Sequence, residues 1–163
     1  FGWPGPVVPG WQVDAEAAAL QMVRDGPPSQ RFEPFPCVWL TPENVPQMRA
    51  LAAATQPGPF GERNIELGEY AGVFEDGRLI AMAGQRLEAR PLREISAVCT
   101  LPQFRGRGLG RRLVESLLAL QLRRGQTPCL HVMSDNSGAR RLYEQMGFRT
   151  RMELVLRVVS RAP

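Results

Sequence analysis

The clearest hydrophobic pattern lies in the middle of the chain, between residues 94 and 123. Residues 94–101 are mostly β-branched or small, which predicts a largely buried strand that ends before Pro102. From Leu109 onward, apolar residues recur at helical spacing and predict an amphipathic helix. Its apolar face consists of Leu109, Leu113, Val114, Leu117, Leu118 and Leu120. The pattern therefore predicts a strand, a glycine-rich loop and a helix in that order.

A second strand and helix follow in the C-terminal part. Residues 129–133 predict a short buried strand, and residues 134–137 offer several N-caps for a helix. That helix carries Ala139, Leu142, Tyr143 and Met146 on one face. Gly147 is its expected C-cap, and the alternation over residues 148–159 predicts a final strand.

The first ninety residues give a weaker pattern. Residues 14–24 and 41–55 are expected to be helical, and residues 37–40 an edge strand. Two runs, 70–75 and 78–86, predict a hairpin around Asp76-Gly77. The chain thus combines strands and helices, as in an α/β (α+β) fold.

The loop Arg105-Gly106-Arg107-Gly108-Leu109-Gly110 is the main candidate for chemistry. Helix starts leave N–H groups without partners, and the helix dipole adds partial positive charge there, so an anion such as a pyrophosphate is favoured. The loop lacks the Gly-Lys-Ser/Thr end of a P-loop and the Gly-x-Gly-x-x-Gly spacing of a dinucleotide fold. The alternative is a solvated turn before a surface helix.

Two motifs resemble the GNAT superfamily of N-acetyltransferases. Arg105-x-x-Gly108-x-Gly110 is similar to its acyl-CoA loop, and Asn136-x-x-Ala139-x-x-Leu142-Tyr143-x-x-Met146-Gly147-Phe148 is similar to its later helix. Residues 56–60 and 79–84 also resemble bacterial members, so the likeness covers residues 36–159. It implies a mixed, mostly antiparallel central sheet whose central strands splay apart and are flanked by helices.

The resemblance also implies acetyl-CoA as cosubstrate and a set of residues that bind it. The pantetheine arm would pair with the main chain of Val98, Cys99 and Thr100, which would otherwise be ordinary strand core. The pyrophosphate would lie on the loop, whose members are Arg105, Gly106, Arg107, Gly108, Leu109, Gly110 and Arg111. Asn136 would contact the cofactor or a bound water, or would simply cap its helix.

Catalysis by direct transfer needs a proton donor for the leaving thiolate and a base for the amine. Tyr143 matches the tyrosine that the superfamily uses as general acid, although an aromatic on an apolar helix face is also typical core. Two residues are candidates for the base, Glu94 and His131, besides a relay through water. Glu94 ranks first. The competing interpretation is a catalytically silent acyl-CoA-binding or regulatory domain that lacks a working base.

Composition favours a cytoplasmic protein. The 163 residues are 44% hydrophobic, with no run long enough for a membrane span, and residues 1–10 show no signal-peptide pattern. Cys37, Cys99 and Cys129 fall in predicted strands, as expected of reduced core thiols, and one histidine with no cysteine pair makes a metal site improbable. We expect residues 1–35 to form an N-terminal extension and helix packed on a domain of residues 36–163.

Charge does not point to nucleic acid. All 20 basic side chains are arginines and the formal net charge is +4, but the arginines gather near the glycine loop without interleaved aromatics. The expected partner is a small-molecule or peptide amine, with no nucleic acid and no membrane, and the chain is expected to be a monomer or homodimer. Residues 55–64 form the candidate acceptor loop, and the identity of the amine stays open.

Overall fold

A computed structural model describes residues 8–25 and 35–162. These residues form seven strands, three α-helices and three short 3-10 helices. The strands are β1 (Trp11–Val23), β2 (Val38–Trp39), β3 (Tyr70–Glu75), β4 (Arg78–Ala89), β5 (Leu92–Thr100), β6 (Thr127–Met133) and β7 (Arg149–Arg161). The helices are α1 (Val45–Thr55), α2 (Leu109–Arg123) and α3 (Ser137–Gln145), and the 3-10 helices are Pro42–Asn44, Glu62–Leu67 and Pro102–Phe104.

The chain divides into two compact units, and the division falls inside β6. The larger unit comprises residues 25–129, and the smaller one comprises the residues up to 24 together with those from 130 onward. In the larger unit β2, β3, β4 and β5 follow one another as antiparallel neighbours. The Thr127 N–H donates to the Pro91 carbonyl at 2.8 Å, so β6 begins beside the start of β5 and runs parallel to it. Helix α2 is the crossover between them.

The core of the larger unit lies between its strands and the apolar faces of α1 and α2. Both helices contact β4 and β5. The spacing of the leucines in α2 explains this packing, because one face carries nearly all of them. The buried members are Met48, Leu51, Ala52, Ile80, Ala81, Met82, Leu113, Val114, Leu117 and Leu118.

The smaller unit is organised around a long antiparallel pair. β1 pairs with β7 from Trp11 opposite Arg161 to Val23 opposite Arg149. Only one end of this ribbon is buried, and one face of α3 is buried as well. The buried residues are Ala19, Leu20, Met22, Val23, Tyr143, Met146, Phe148 and Leu154.

Most predicted elements are confirmed, but the helix predicted over residues 14–24 is wrong. These residues belong to β1, where alanines at 15 and 17–19 gave a helical signal through their intrinsic propensity. Pairing with β7 overrides that propensity. Residues 19–23 are all buried, as in a strand covered on both faces and unlike a surface helix. The boundary between residues 35 and 36 stays a prediction.

Smaller differences concern the ends of elements. β4 continues to Ala89, three residues beyond the predicted end, because β5 pairs with it as far as the Ala89–Leu92 pair. The edge strand β2 is shorter than predicted, and Cys37 lies just before it. The segment predicted as one helix over residues 41–55 begins with a 3-10 turn before α1.

Candidate functional site

The glycine loop has the backbone that an anion-binding helix start requires. Gly106 and Gly108 have φ values of +79° and +74°, which favour glycine, and Gly108 is the N-cap of α2. The Arg112 N–H donates to the Gly108 carbonyl at 3.1 Å, the first bond of the helix. The N–H groups of the three residues between them therefore have no partner within the helix. The loop thus offers main-chain donors at the positive end of the α2 dipole.

Gly110 lies against the end of β5. A Cβ at this position would meet Val98 Cγ1 at 3.7 Å and Thr100 Oγ1 at 3.8 Å, which is ordinary contact. An alanine would therefore fit here as well. The Arg105 Nε also donates to the Thr100 carbonyl at 3.3 Å. The structure therefore brings Val98, Thr100, Arg105 and Gly110 together in the larger unit.

The other loop arginines have partners that a stronger anion could replace. Arg107 pairs with Glu75 at 2.9 Å and lies over the Phe104 ring, and Arg111 pairs with Glu115 at 3.2 Å. The Arg107–Glu75 pair is exposed and the Arg111–Glu115 pair is half-buried, and exposed pairs contribute about 0–1 kcal/mol each. Phosphate oxygens could compete for the same guanidinium groups at little cost.

β5 contains a bulge that the sequence did not reveal. Met82 pairs with Cys99 and Gly84 pairs with Ser96, so two residues of β5, Ala97 and Val98, stand opposite one residue of β4. Ala97 has φ +52°, in the left-handed region. A bulge interrupts the ladder and increases the local twist. It therefore changes the course of β5 at the first of the predicted pantetheine-binding residues, Val98. An alanine at the bulge gives no sequence signal for it.

Glu94 is buried and held by an arginine. Its side chain is 2% exposed, and both carboxylate oxygens accept hydrogen bonds from Arg86, at 3.0 Å from Nε and 2.7 Å from Nη2. The hydrogen bond to Glu94 raises the pKa of Arg86. Sequence reasoning missed Arg86, although Arg86 and Glu94 are equally distant from Arg90 in the β4–β5 hairpin. The structure therefore places the first-ranked base in an ion pair.

A second buried arginine ties the candidate acceptor region to the sheet. Arg93 donates to the Gln85 Oε1 from Nε at 3.2 Å and to the Leu67 carbonyl from Nη2 at 2.7 Å. Gly68 leaves room for this guanidinium, since a Cβ there would overlap Arg93 Nη2. Arg93 thus fixes the end of the Glu62–Leu67 segment, whose first residues belong to the predicted acceptor loop, residues 55–64.

An open cleft lies beside that loop and the C-terminal half of α1. Its volume is about 780 Å³, and it is lined by Pro46, Arg49, Ala50, Ala52, Ala53, Gln56, Gly58 and Phe60. Phe60 also packs edge-on against Tyr70, with ring centroids 5.9 Å apart. Burial raises the pKa of Tyr70.

His131 lies in the smaller unit and is joined to Gln21. The distance between the His131 Nε2 and the Gln21 Nε2 is 3.1 Å, and Arg151 donates to the Gln21 Oε1 at 3.0 Å. Because an arginine only donates, the Gln21 oxygen faces Arg151 and its amide nitrogen faces the histidine. These partners assign the proton of the neutral ring to Nδ1.

Helix α3 presents the other two predicted residues of this unit. Tyr143 is buried, burial raises its pKa to about 12, and its ring packs edge-on against Phe148. Asn136 is the N-cap of α3, and its Oδ1 accepts a hydrogen bond from the Ala139 N–H at 3.1 Å. The capping role weighed for Asn136 is confirmed, and contact with a cofactor stays a prediction.

The three cysteines are free thiols. Cys99 and Cys129 are buried, whereas Cys37 is half-buried with its Sγ 3.8 Å from the Ser116 hydroxyl. Burial raises the pKa of the Cys99 thiol, which disfavours a reactive thiolate. Across residues 8–25 and 35–162, no cluster of three or more His, Cys, Asp and Glu side chains could hold a metal ion. No helix in these ranges is long and apolar enough to cross a membrane.

Comparison with known proteins decides the family. The family model of FR47-like proteins matches residues 70–157, which include β3 to β6, the glycine loop, α3 and most of β7. A GNAT-family protein from Novosphingobium aromaticivorans has a solved structure that superposes with a TM-score of 0.89 at 43% identity. The chain belongs to the GNAT superfamily. The superposition with the N. aromaticivorans protein covers 95% of this chain and 69% of that protein.

Two further relatives carry names. N-alpha-acetyltransferase RimI from Mycobacterium tuberculosis (strain ATCC 25618 / H37Rv) is 35% identical over 105 residues, 60% of this chain and 65% of that enzyme. The match thus spans less than two thirds of the relative's length. The ribosomal-protein-S18-alanine N-acetyltransferase of Escherichia coli superposes with a TM-score of 0.63 at 21% identity, over 78% of this chain and 95% of that enzyme. At this low identity, the similarity to the E. coli enzyme shows only that the two proteins share a fold.

These comparisons confirm the GNAT fold predicted from the two motifs, and they confirm the enzyme class at the level of the family, which is that of acetyltransferases.

Proposed function

We propose that this protein transfers an acetyl group from acetyl-CoA directly to a primary amine. The observation that carries the proposal is the start of α2, where a glycine loop with positive φ exposes main-chain donors among four arginines. A ligand with a pyrophosphate suits this arrangement. Membership of the GNAT superfamily agrees with that ligand.

In this proposal the larger unit binds the cosubstrate. The loop residues Arg105 to Arg111 hold the pyrophosphate, and the main chain of Val98, Cys99 and Thr100 pairs with the pantetheine arm. The bulge at Ala97 and Val98 supports this assignment, because it interrupts the pairing with β4, which resumes at Cys99, and so bends the backbone where the arm would bind. Their side chains then matter less than the course of the backbone.

The reaction needs no covalent enzyme intermediate. The amine nitrogen attacks the thioester carbonyl, the C–S bond breaks, and the thiolate of CoA takes up a proton. The raised pKa of the Cys99 thiol supports direct transfer, since a nucleophilic cysteine needs a lowered one.

Tyr143 is the proposed proton donor. With a pKa of about 12 it stays protonated throughout the neutral range. Complete proton transfer to a thiolate with a pKa of about 8.5 would be uphill by about 5 kcal/mol. Tyr143 therefore acts mainly by donating a hydrogen bond to the charge that develops on sulfur. The proton that the CoA thiolate finally takes up comes from the nitrogen of the attacking amine.

Glu94 is the proposed base of first choice and His131 the second, but each is engaged by a hydrogen-bonding partner, Arg86 and Gln21 respectively. A base whose lone pairs are engaged in this way removes a proton from an alkylammonium only weakly. An α-amino group has a pKa near 7.8 and a lysine side chain one near 10.4, so much more of the α-amine is neutral at neutral pH. We therefore infer an α-amino acceptor, in agreement with the names of the two RimI-type relatives.

The acceptor is proposed to enter by the cleft beside α1 and residues 56–60. A volume of about 780 Å³ exceeds what a simple alkylamine fills and suits the first residues of a peptide. A cytoplasmic location and the absence of nucleic-acid and membrane partners stay predictions.

A second candidate function is supported by the same pair of contacts. If Arg86 and Gln21 keep both candidate bases occupied, the chain binds acyl-CoA without turnover and acts as a regulatory domain. The two functions share the glycine loop and differ only in turnover.

Calorimetry with acetyl-CoA, followed by release of free CoA with a panel of peptides and amines, tests both functions. The double variant Arg105→Ala with Gly108→Ala is expected to weaken acetyl-CoA binding at least tenfold. Its matched control is Gly77→Ala with Arg78→Ala, which changes a positive-φ glycine and an exposed arginine of the β3–β4 turn. Binding without release for any acceptor would favour the silent domain, and no binding by the unmodified chain would refute both.

Conservative variants separate the two candidate bases. Glu94→Gln is expected to lower kcat by about 10²-fold with little change in acetyl-CoA affinity, because a positioned base contributes about that much. His131→Asn is expected to lower kcat by less than tenfold. The reverse order would assign the base to His131.

A further inference from the structure

The Tyr70 side chain is buried, yet its hydroxyl makes no hydrogen bond. Tyr70 is 1% exposed and stands at the start of β3. Among the residues that the structure describes, no group is in hydrogen-bonding geometry to this hydroxyl. A buried polar group without a partner costs stability, and such groups are rare in native proteins unless they have a function. The hydroxyl is therefore a candidate for a hydrogen bond that forms only during the reaction.

The sheet brings Tyr70 to the same face as the ion pair of Glu94 and Arg86. Tyr70 faces Gly84 of β4, and Gly84 in turn faces Ser96 of β5. The tyrosine ring lies over Gly84, where a Cβ would overlap its Cδ1 and Cε1 atoms. Glu94 stands two residues before Ser96, and alternate residues of a strand share a face. Tyr70 and Glu94 therefore share a face of the sheet, and Arg86 is bonded to Glu94.

The charges of this ion pair reach the Tyr70 hydroxyl. Burial is the main cause of the raised pKa of Tyr70. The Asn64 side chain and the Arg86 charge lower this pKa in part, and the Glu94 charge raises it. Because such effects weaken with distance, both charged groups lie near the hydroxyl. With its raised pKa, the hydroxyl stays protonated in the neutral range and is not itself a base.

Tyr70 also contacts the wall of the proposed acceptor cleft. Phe60 lines the cleft and packs edge-on against the Tyr70 ring, with centroids 5.9 Å apart. Phe60 and Asn64 both belong to the candidate acceptor loop, residues 55–64. Tyr70 therefore lies between this loop and the first-ranked base.

The chemistry of a carboxyl group supplies the missing hydrogen bond. As a carboxylate, Glu94 accepts a hydrogen bond from Arg86 on each of its oxygens. Once it is protonated, a carboxyl group carries an O–H donor, and a guanidinium cannot accept a hydrogen bond from it. A tyrosine oxygen has lone pairs that can accept one. The Tyr70 hydroxyl thus suits the protonated form of Glu94.

We propose that Tyr70 stabilises the protonated form of Glu94 during acetyl transfer, an inference that rests on the proposed function with Glu94 as base. An N–H bond of the acceptor ammonium breaks, an O–H bond forms on Glu94, and this O–H donates to the Tyr70 oxygen. The neutral amine then attacks the thioester, and Glu94 returns its proton to water when the products leave. Tyr70 is a positioning residue, because it acts through Glu94.

Tyr70→Phe tests the proposal, because it removes only the hydroxyl. The kcat of amine-dependent CoA release is expected to fall about five- to tenfold, the effect of one hydrogen bond, while the KM of each substrate changes less than about twofold. The urea midpoint of unfolding is expected to stay the same or to rise, because the hydroxyl has no partner to lose.

Gln121→Met is the matched control for this variant. Gln121 is a fully buried residue of α2, and its side-chain amide also has no hydrogen-bond partner within the described part of the chain. The control thus removes a second buried polar group at a place that the reaction does not use. Its kcat is expected to equal that of the unmodified chain.

A double-variant cycle separates a role through Glu94 from a purely structural one. In the Glu94→Gln background, Tyr70→Phe is expected to change kcat less than about twofold, because the glutamine amide takes up no proton. Losses that multiply in the double variant, an unchanged kcat in Tyr70→Phe alone, or a full kcat in Glu94→Gln alone would overturn the proposal. An unmodified chain that releases no CoA with any acceptor would refute the proposed transferase function itself, and this proposal with it.

Discussion

Ala97 adopts a backbone conformation that costs an alanine about 1–2 kcal/mol. Its φ of +52° forms the bulge of β5. Ala97→Gly removes this strain but also a buried methyl group, so the free energy of unfolding is expected to change by less than about 1 kcal/mol. Ala97→Val adds a β-branched side chain in the left-handed region and is expected to destabilise by about 2 kcal/mol or more. Denaturant unfolding measures both changes.

Ala83 provides the matched control for this prediction. It is buried on β4 beside the bulge, and its φ is not positive. Ala83→Gly therefore has no strain to relieve and is expected to destabilise by about 1 kcal/mol or more. Equal losses for Ala97→Gly and Ala83→Gly would show that the left-handed conformation of Ala97 stores no strain.

The buried tyrosine of α3 predicts a dependence of stability on alkaline pH. The pKa of Tyr143 is raised to about 12 in the folded chain, whereas an unfolded tyrosine ionises near pH 10. The stabilisation from its neutral form is therefore complete below about pH 10 and is lost as pH rises toward 12. The loss should reach about 1 kcal/mol by about pH 11.

Tyr143→Phe isolates this effect, because phenylalanine does not ionise. The free energy of unfolding of the variant should fall less between about pH 9 and about pH 11 than that of the unmodified chain. Tyr70, whose pKa is also raised, is unchanged in both proteins and cancels in the comparison. Parallel pH curves for the two proteins would contradict a raised pKa at Tyr143.

At the scale of elements, Arg93 connects the Glu62–Leu67 segment to β4 and β5. Arg93→Met leaves the Leu67 carbonyl and the Gln85 Oε1 without their donor, so a loss of about 2 kcal/mol in stability is expected. Amide hydrogen exchange in residues 62–67 should become faster, with little change in α2. Arg63→Met is the control, because Arg63 is exposed and pairs only within the segment. Equal effects of both variants would refute the positioning role.

Elements were predicted from sequence where one face alone is buried. The leucines of α2 and the alternation in β7 belong to this group. The hairpin was predicted instead from its turn residues, Asp76-Gly77. β1 was mistaken for a helix because its residues 19–23 are buried on both faces and its alanines have no strand periodicity. Only pairing with β7, more than a hundred residues away, makes it a strand.

The same distinction holds for the candidate site. The glycine loop was predicted because its chemistry lies in consecutive residues. Arg86 beside Glu94, Gln21 beside His131 and the bulge at Ala97 were not, since each depends on the register between strands. A local motif therefore predicts the conformation of the glycine loop better than it predicts which side chains contact the candidate bases.

At the scale of the whole molecule, the net charge is +4, and the arginines around the start of α2 contribute to it where the phosphates of CoA are proposed to bind. If the phosphates of CoA supply much of the affinity, CoA should raise the unfolding temperature far more than acetyl-pantetheine, which has no nucleotide. Ligand at about 100 times its Kd stabilises by about 2.7 kcal/mol, or roughly 5–10 °C for a chain of this size. High salt should reduce the shift from CoA, because the loop arginines are exposed to counterions. Equal, salt-independent shifts of the unfolding temperature with both compounds would show that contacts to β5, and not those to the loop, supply the affinity.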